Sequence, residues 1–229
     1  FSFKSVLFSL AFLLFLTLVF TFPRVMFSLP KGKNNIKFND IFSRNENINI
    51  LSLARIFLFG ARDIWFVVAV PLYLYSIGSE FLFESRLSTF LFVGAFMALW
   101  VILYGFFQAL APLILKKYKK NYEHISVAAF KWGLYSVPIP LILSGLLYFN
   151  SSLNTAVIIS VILGLFVFGF IFAINSSIHS YLILALSSKD KVAMDVGFYY
   201  SSNAVGRLIG TLLSGILYQI GGVSLCLFC

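Results

Sequence analysis

Polar and apolar residues fall along this chain in long blocks. Apolar runs cover 3–22, 51–77, 87–115, 125–149, 155–186 and 193–219, and another begins after Gly221-Gly222 and continues to Cys229. A helix needs about 20 apolar residues to cross a hydrocarbon core of about 30 Å, and each complete run is long enough. Pro23 is expected to end the first run. The longest polar stretch follows, with Lys31, Lys33, Lys37 and Arg44 against Asp40 and Glu46. Later turns are marked by Gly78, Glu80, Glu84 and Arg86, by Lys116, Lys117, Lys119 and Lys120, by Asn150 and Asn154, and by Lys189, Asp190 and Lys191. Pro138 and Pro140 interrupt 125–149, a break that spanning helices tolerate where neighbours satisfy the freed backbone groups. The pattern predicts an all-α membrane protein.

The loops carry basic residues on alternate sides. The first, third and fifth hold five, four and two Lys or Arg, while the second, fourth and sixth hold one, none and none. Cytoplasmic loops are the basic ones, so the long polar stretch is expected inside and 51–77 runs outward. That stretch is too long for a connection within a compact unit and reads as a linker between two bundles. The expected domains are a membrane helix at 1–22, a cytoplasmic linker at 23–50 and a C-terminal bundle at 51–229. One helix before the linker and six after it match the back part of a two-bundle, twelve-helix transporter, multi-pass in the cell membrane. The start at Phe1 without Met and the end at Cys229 inside an apolar run read as a piece of a longer chain.

Composition narrows the class. The chain is 60% hydrophobic and 11% charged, against about 25% charged in globular domains, which excludes a soluble domain and makes the lipid bilayer the first partner. The net charge of +9 follows from the basic loops and does not point to nucleic acid. Cys226 and Cys229 form a C-x-x-C without a second ligand pair, which is weak as a redox or metal motif. The chain has no phosphate-binding Gly loop, clustered metal ligands or nucleophile with a base. No enzyme and no cofactor is expected.

The candidate chemistry lies inside the apolar runs. Counted from Leu51 at ~1.5 Å per residue, Arg62 stands ~16 Å deep, where a charge costs ~2.5–3.5 kcal/mol unless it faces protein, water or ligand. Asp63 lies ~100° round the helix from it. Arg55, seven residues before Arg62, shares its face but sits near the cytoplasmic end, where it can snorkel. Arg207 is the second deep cation, one turn beyond Asn203. Gly206, Gly210 and Ser214 form a small-xxx-small stripe for close helix contact, expected to face a different neighbour from Arg207. Lys131 can bind anions or snorkel. Asn175 and His179 are one turn apart, and a His there can carry a proton or simply pack. Two readings stay open for the charged residues: anion contact by Arg62 and Arg207 with proton exchange through Asp63, or an interhelical ion bridge such as Arg207 to Asp63. Gln108, Trp65 and Trp100 are weaker candidates, the tryptophans as packing or lipid-facing residues.

Several stretches resemble the ArsJ family of organoarsenical efflux transporters in the major facilitator superfamily. Lys37-Phe38 with Asp40-Ile41-Phe42-Ser43 resembles the end of its central linker. NILSLARIFLFGARDIWFVVAVP (49–71) resembles its seventh helix, FAINSSIHSYLI (172–183) the end of its tenth, and DVGFYYSSNAVGRLIGTLLSGILYQ (195–219) its eleventh. Residues 94–112 match the eighth more loosely. The resemblance implies the C-terminal six-helix bundle of the superfamily plus the helix before the linker. It implies export of 1-arseno-3-phosphoglycerate, giving arsenate resistance, and a functional link to the glyceraldehyde-3-phosphate dehydrogenase that makes this product. Placed on that fold, Arg62, Arg207, Asn203, Lys131 and Asn175 are expected to hold the anion. Asp63 and His179 are expected to exchange protons in an antiport cycle. Export of another phosphorylated or carboxylated anion, or a non-transport membrane role, is the alternative.

Overall fold

The computed structural model describes residues 3–28, 45–115, 122–150, 154–187 and 191–229. The expectations for the body of the linker with its Lys37–Ser43 resemblance, the basic run Lys116–Lys120, and the turn residues 151–153 and 188–190 lie outside the described residues. Among the described residues every element is helical: α1 (Phe3–Ser28), α2 (Glu46–Phe66), α3 (Ala69–Ile77), a π-helical turn (Gly78–Leu82), α4 (Arg86–Ile114), α5 (Tyr122–Ser136), α6 (Pro138–Phe149), α7 (Thr155–Leu186) and α8 (Val192–Phe228). Among the described residues five helical segments are long and apolar enough to cross a membrane: Lys4–Pro23, Arg86–Ile114, Glu123–Phe149, Thr155–Leu186 and Val192–Phe228. The chain divides into two units, Phe1–Asp40 and Ile41–Cys229. The first holds α1. The second is the helical bundle described below.

Prolines set several boundaries. Pro23 does not end α1, which continues to Ser28; one missing backbone bond is tolerated in an apolar helix. At the other end of the expected linker, Asn45 caps α2 by accepting a hydrogen bond from the Asn47 amide at 3.0 Å. The helix therefore starts five residues before 51, and its first turns occupy positions assigned to the linker. The expected single helix over 51–77 is two. Pro71 has no N–H for the Val67 carbonyl and its ring crowds that group, so the helix breaks at Val67-Val68. Neither piece is among the five spans: α2 carries Glu46, Arg55, Arg62 and Asp63, and α3 has nine residues.

Between α5 and α6 the backbone accounts can be followed bond by bond. Ahead of Pro138 the Val137 amide turns to the Leu134 carbonyl at 3.3 Å, leaving the Gly133 carbonyl without its helical donor. The Ser136 hydroxyl donates to it at 2.6 Å. In α8 the break comes from glycine: Gly222 adopts φ +65°, a left-handed conformation that a side chain would strain. The chain doubles back there, and the buried Cys226 thiol reaches the Ser214 carbonyl at 3.7 Å. The Ser144 hydroxyl of α6 donates to the Ser224 carbonyl at 2.7 Å, fastening the returned segment.

Helix α7 is the axis of the bundle and touches α2, α4, α5, α6 and α8. Two apolar clusters pack along it. One gathers Trp65, Leu74, Trp100, Val161, Leu165 and Phe172; the other gathers Ile48, Leu51, Ile125, Ile174, Ile178 and Tyr199. Trp100 is a packing residue: it is buried, stacks on Tyr104 at 5.5 Å and donates its indole N–H to the Leu165 carbonyl at 2.9 Å. Ser52, Arg55 and Asn175 are buried where the two clusters meet on α2 and α7.

Candidate functional site

The site begins with the contact between α2 and α8. Lipid gives little drive for apolar helix surfaces to associate, so helix pairs in membranes rely on close packing and hydrogen bonds. Here the backbones meet at glycines. A Cβ on Gly206 would stand within 2.7 Å of the Ile56 Cα and closer still to its carbonyl oxygen. A Cβ on Gly210 would press equally on the Gly60 carbonyl. Ser214 continues the stripe, fully buried. The stripe and Arg207 were expected to face different neighbours, yet both meet α2. The guanidinium arm is long enough to pass the stripe and reach Asp63.

That reach forms an ion triad. Asp63 is fully buried on α2, and a carboxylate so placed needs partners. The Arg62 side chain folds back so that its Nε donates to Asp63 Oδ1 at 2.7 Å, and its Nη2 meets the same oxygen. Arg207 Nε donates to Oδ2 at 2.9 Å from α8. The Arg207 side chain remains 54% exposed, against 8% for Arg62. The interhelical bridge that the sequence left open is thus formed, with one carboxylate serving two guanidiniums.

On the opposite side Arg62 faces aromatic rings and open space. Its Cζ lies 4.7 Å from the Phe59 ring centre and 5.1 Å from that of Phe172. It lines a cleft of about 540 Å³ between α2, α5, α6, α7 and the returned end of α8. Small-molecule sites typically measure about 300–1,000 Å³ and place a few polar groups in an apolar wall. Phe168, Phe172, Trp65 and Leu58 supply the apolar wall here. The polar groups are Arg62, Asn175, His179 and Ser136. Asn175 is 1% exposed, and neither its amide nitrogen nor its oxygen has a hydrogen-bond partner; His179 Nδ1 is also buried without one. Buried polar atoms are almost always paired, so these three atoms mark a place short of a partner. A second cleft, of about 680 Å³ between α6 and the returned segment, lacks such groups. Its Ser144 hydroxyl is already bonded to the Ser224 carbonyl.

Arg55 was expected to snorkel at the cytoplasmic end. Instead it is 4% exposed and turns inward to α7. Its Nη1 donates to the Ser176 hydroxyl at 3.2 Å and to the Ser176 carbonyl at 3.4 Å. Its Cζ lies 3.8 Å from the Phe59 centre and 5.1 Å from that of Tyr199. Gln108 of α4 also donates to the Ser176 hydroxyl, at 3.1 Å, and to the Tyr104 hydroxyl at 2.9 Å. Ser176 is therefore the meeting point of α2, α4 and α7.

Of the expected anion ligands, the structure brings Arg62 and Asn175 to one cleft, joined by His179. Arg207 is linked through Asp63 and does not line the cleft. Asn203 is half-buried on α8 with its Oδ1 unpartnered, outside the cleft lining. Lys131 is exposed and is also absent from the lining, although its neighbours Ala129, Phe130 and Gly133 contribute to it. Ser176 and Phe59 were missed as site residues, and Arg55 was misplaced. The seven-residue spacing of Arg55 and Arg62, with Phe59 between them, was the signal for that face. Among the described residues no cluster of His, Cys, Asp and Glu could hold a metal ion. Comparison of the chain with protein-family models, with curated proteins and with solved structures finds no match.

Proposed function

We propose that this chain forms the C-terminal helical bundle of a major facilitator superfamily exporter, and that its cargo is an organoarsenical anion, 1-arseno-3-phosphoglycerate. One observation carries the anion reading: the Arg62 guanidinium and the unpartnered amide of Asn175 open into the same apolar cleft among membrane-length helices. A guanidinium stays charged and offers paired N–H donors to phosphate or arsenate oxygens. The amide adds a donor for the same oxygens and an acceptor for a substrate hydroxyl. Phe172 and Trp65 keep water from the contact. The choice of an organoarsenical over other phosphorylated or carboxylated anions rests on the sequence resemblance of 49–71, 172–183 and 195–219.

The sequence expects a counter-moving proton, with Asp63 and His179 as carriers. Asp63 and an incoming anion compete for the same guanidinium of Arg62. A proton that neutralises Asp63 would free the arginines and load together with the anion, which disfavours exchange through Asp63 and leaves His179 as the remaining carrier. The ion triad favours a second reading, in which Arg62 and Arg207 only fasten α2 to α8.

The whole gene product, expressed in an arsenate-sensitive cell that makes 1-arseno-3-phosphoglycerate, is expected to raise arsenate resistance and lower cell-associated arsenic. Unchanged resistance together with unchanged arsenic content would reject the organoarsenical cargo.

A further inference from the structure

Arg55 has no role in the reading above, and its surroundings leave its charge unanswered. It is 4% exposed on α2, and among the described residues no carboxylate lies within ion-pair distance of it. Buried charges are normally paired. Its bonds to Ser176, at 3.2 and 3.4 Å, are long for a guanidinium, and its Nε has no partner. The aromatic faces of Phe59 and Tyr199 stabilise the cation but do not neutralise it. Arg62 lies against the same Phe59 ring, so the two guanidiniums are near neighbours. On α7, Ser176 is flanked by Asn175 and followed one turn later by His179, the two residues of that segment that line the cleft. Arg62 lines the cleft, while Arg55 stands one layer behind it, against Phe59 and Ser176. Among the described residues the only carboxylate paired with either, Asp63, is already shared with Arg207.

We propose that Arg55 is a second anion-binding residue of this cleft, and that the site takes a doubly charged oxyanion head in preference to a singly charged one. Arg55 leaves Ser176 and turns into the cleft, where the anion accepts from its Nη1 and Nε while Arg62 and the Asn175 amide hold the other oxygens. A phosphate or arsenate monoester has the charge and the oxygens for both arginines. A diester offers one charge and one fewer free oxygen. The inference rests on the anion-site reading above and adds to it the charge of the ligand head and the residue that reads it.

The test is a binding assay on the whole purified protein in detergent, with phenyl phosphate as the dianion and methyl phenyl phosphate as the monoanion. The pH is held above the monoester's second pKa of ~6. Charge-assisted hydrogen bonds of the kind Arg55 would add correspond to roughly a 10- to 100-fold preference for phenyl phosphate. Arg55→Gln is expected to weaken phenyl phosphate binding more than methyl phenyl phosphate binding and so to abolish that preference, whereas Arg55→Lys retains part of it. If the wild-type protein binds both esters equally, or if folded Arg55→Gln keeps the full preference, the role of Arg55 is overturned while the anion site stands. If the wild-type protein binds neither ester, the anion site itself fails and the inference with it. Should Arg55→Gln not fold, the wild-type preference and the Arg55→Lys ratio decide the question.

Discussion

Against α8, helix α2 brings backbone onto backbone: Gly206 and Gly210 seat on the carbonyls of Ile56 and Gly60 with no room for a methyl group. Against α7, the same helix sends Arg55 and Arg62 among aromatic rings, toward an amide and an imidazole with unpaired buried atoms. The first interface keeps its carboxylate paired, Asp63 with Arg62 and Arg207, although the Ser214 hydroxyl and Asn203 Oδ1 on α8 lack partners. The second retains charge and hydrogen-bonding capacity that its own side chains do not consume. Packing and hydrogen bonding hold helices together in a membrane, so an interface that leaves groups unsatisfied gives up stability. Such a loss is expected where a ligand supplies the missing partners.

The largest effect is expected at the glycine stripe. Gly206→Leu would drive a side chain into the Ile56 backbone, which a rotamer change cannot relieve. Overpacking alone costs ~1–3 kcal/mol, and separating the two helices costs more. The variant should lose most of its monodisperse peak on size exclusion, and Gly210→Ala a substantial part. Gly215→Ala, whose Cβ meets nothing within 4 Å, should behave like wild type. Equal loss in all three would mean that close approach is not what matters at the stripe.

Asp63→Asn comes next. It leaves two guanidiniums without their carboxylate, a change that costs ~3–5 kcal/mol when a buried pair is broken from one side. Adding Arg207→Gln to that variant should restore part of the loss in a thermal unfolding assay, because one uncompensated charge is removed. If the double variant is as unstable as the sum of the single ones, the triad is not coupled.

Asn175→Leu sharpens the contrast by separating stability from binding. Removing a buried amide with no partners should leave stability unchanged or raise it by up to ~1–3 kcal/mol, while export falls. A drop in both would assign Asn175 to the scaffold. The smallest effect belongs to Lys131→Gln. The side chain is exposed and absent from the cleft lining, so stability should change by less than about 0.5 kcal/mol and export should not change. Loss of export there would return Lys131 to the site.

The sequence made long apolar helices legible because hydropathy blocks of that length have few other solutions. The expected bounds of α7 agree with the structure to the residue, and α4 begins and ends within one. Local proline chemistry was harder to read. Pro71 splits a helix while Pro23 does not, and only the surroundings decide which. The glycine stripe was visible as spacing, but its partner Gly60 was not, since contacts between helices leave no mark in either sequence alone. Arg55 was misjudged for a simple reason. Snorkelling was weighed on position along α2 alone, whereas the burial of Arg55 comes from Phe59 on its own helix and from Ser176 and Tyr199 on α7 and α8, which that position does not reveal. The Arg207–Asp63 bridge was one of two open alternatives because charge pairing depends on how α8 is rotated against α2.

The central claim is that Arg62 contacts an anion and does not merely fasten α2. Arg62→Lys keeps the positive charge beside Asp63 but loses the planar fork. Membrane abundance and export of arsenic from cells should be measured on the same preparations of this variant. The account predicts near-normal abundance with export reduced to background. Normal abundance with normal export, or abundance falling in step with export, would contradict it.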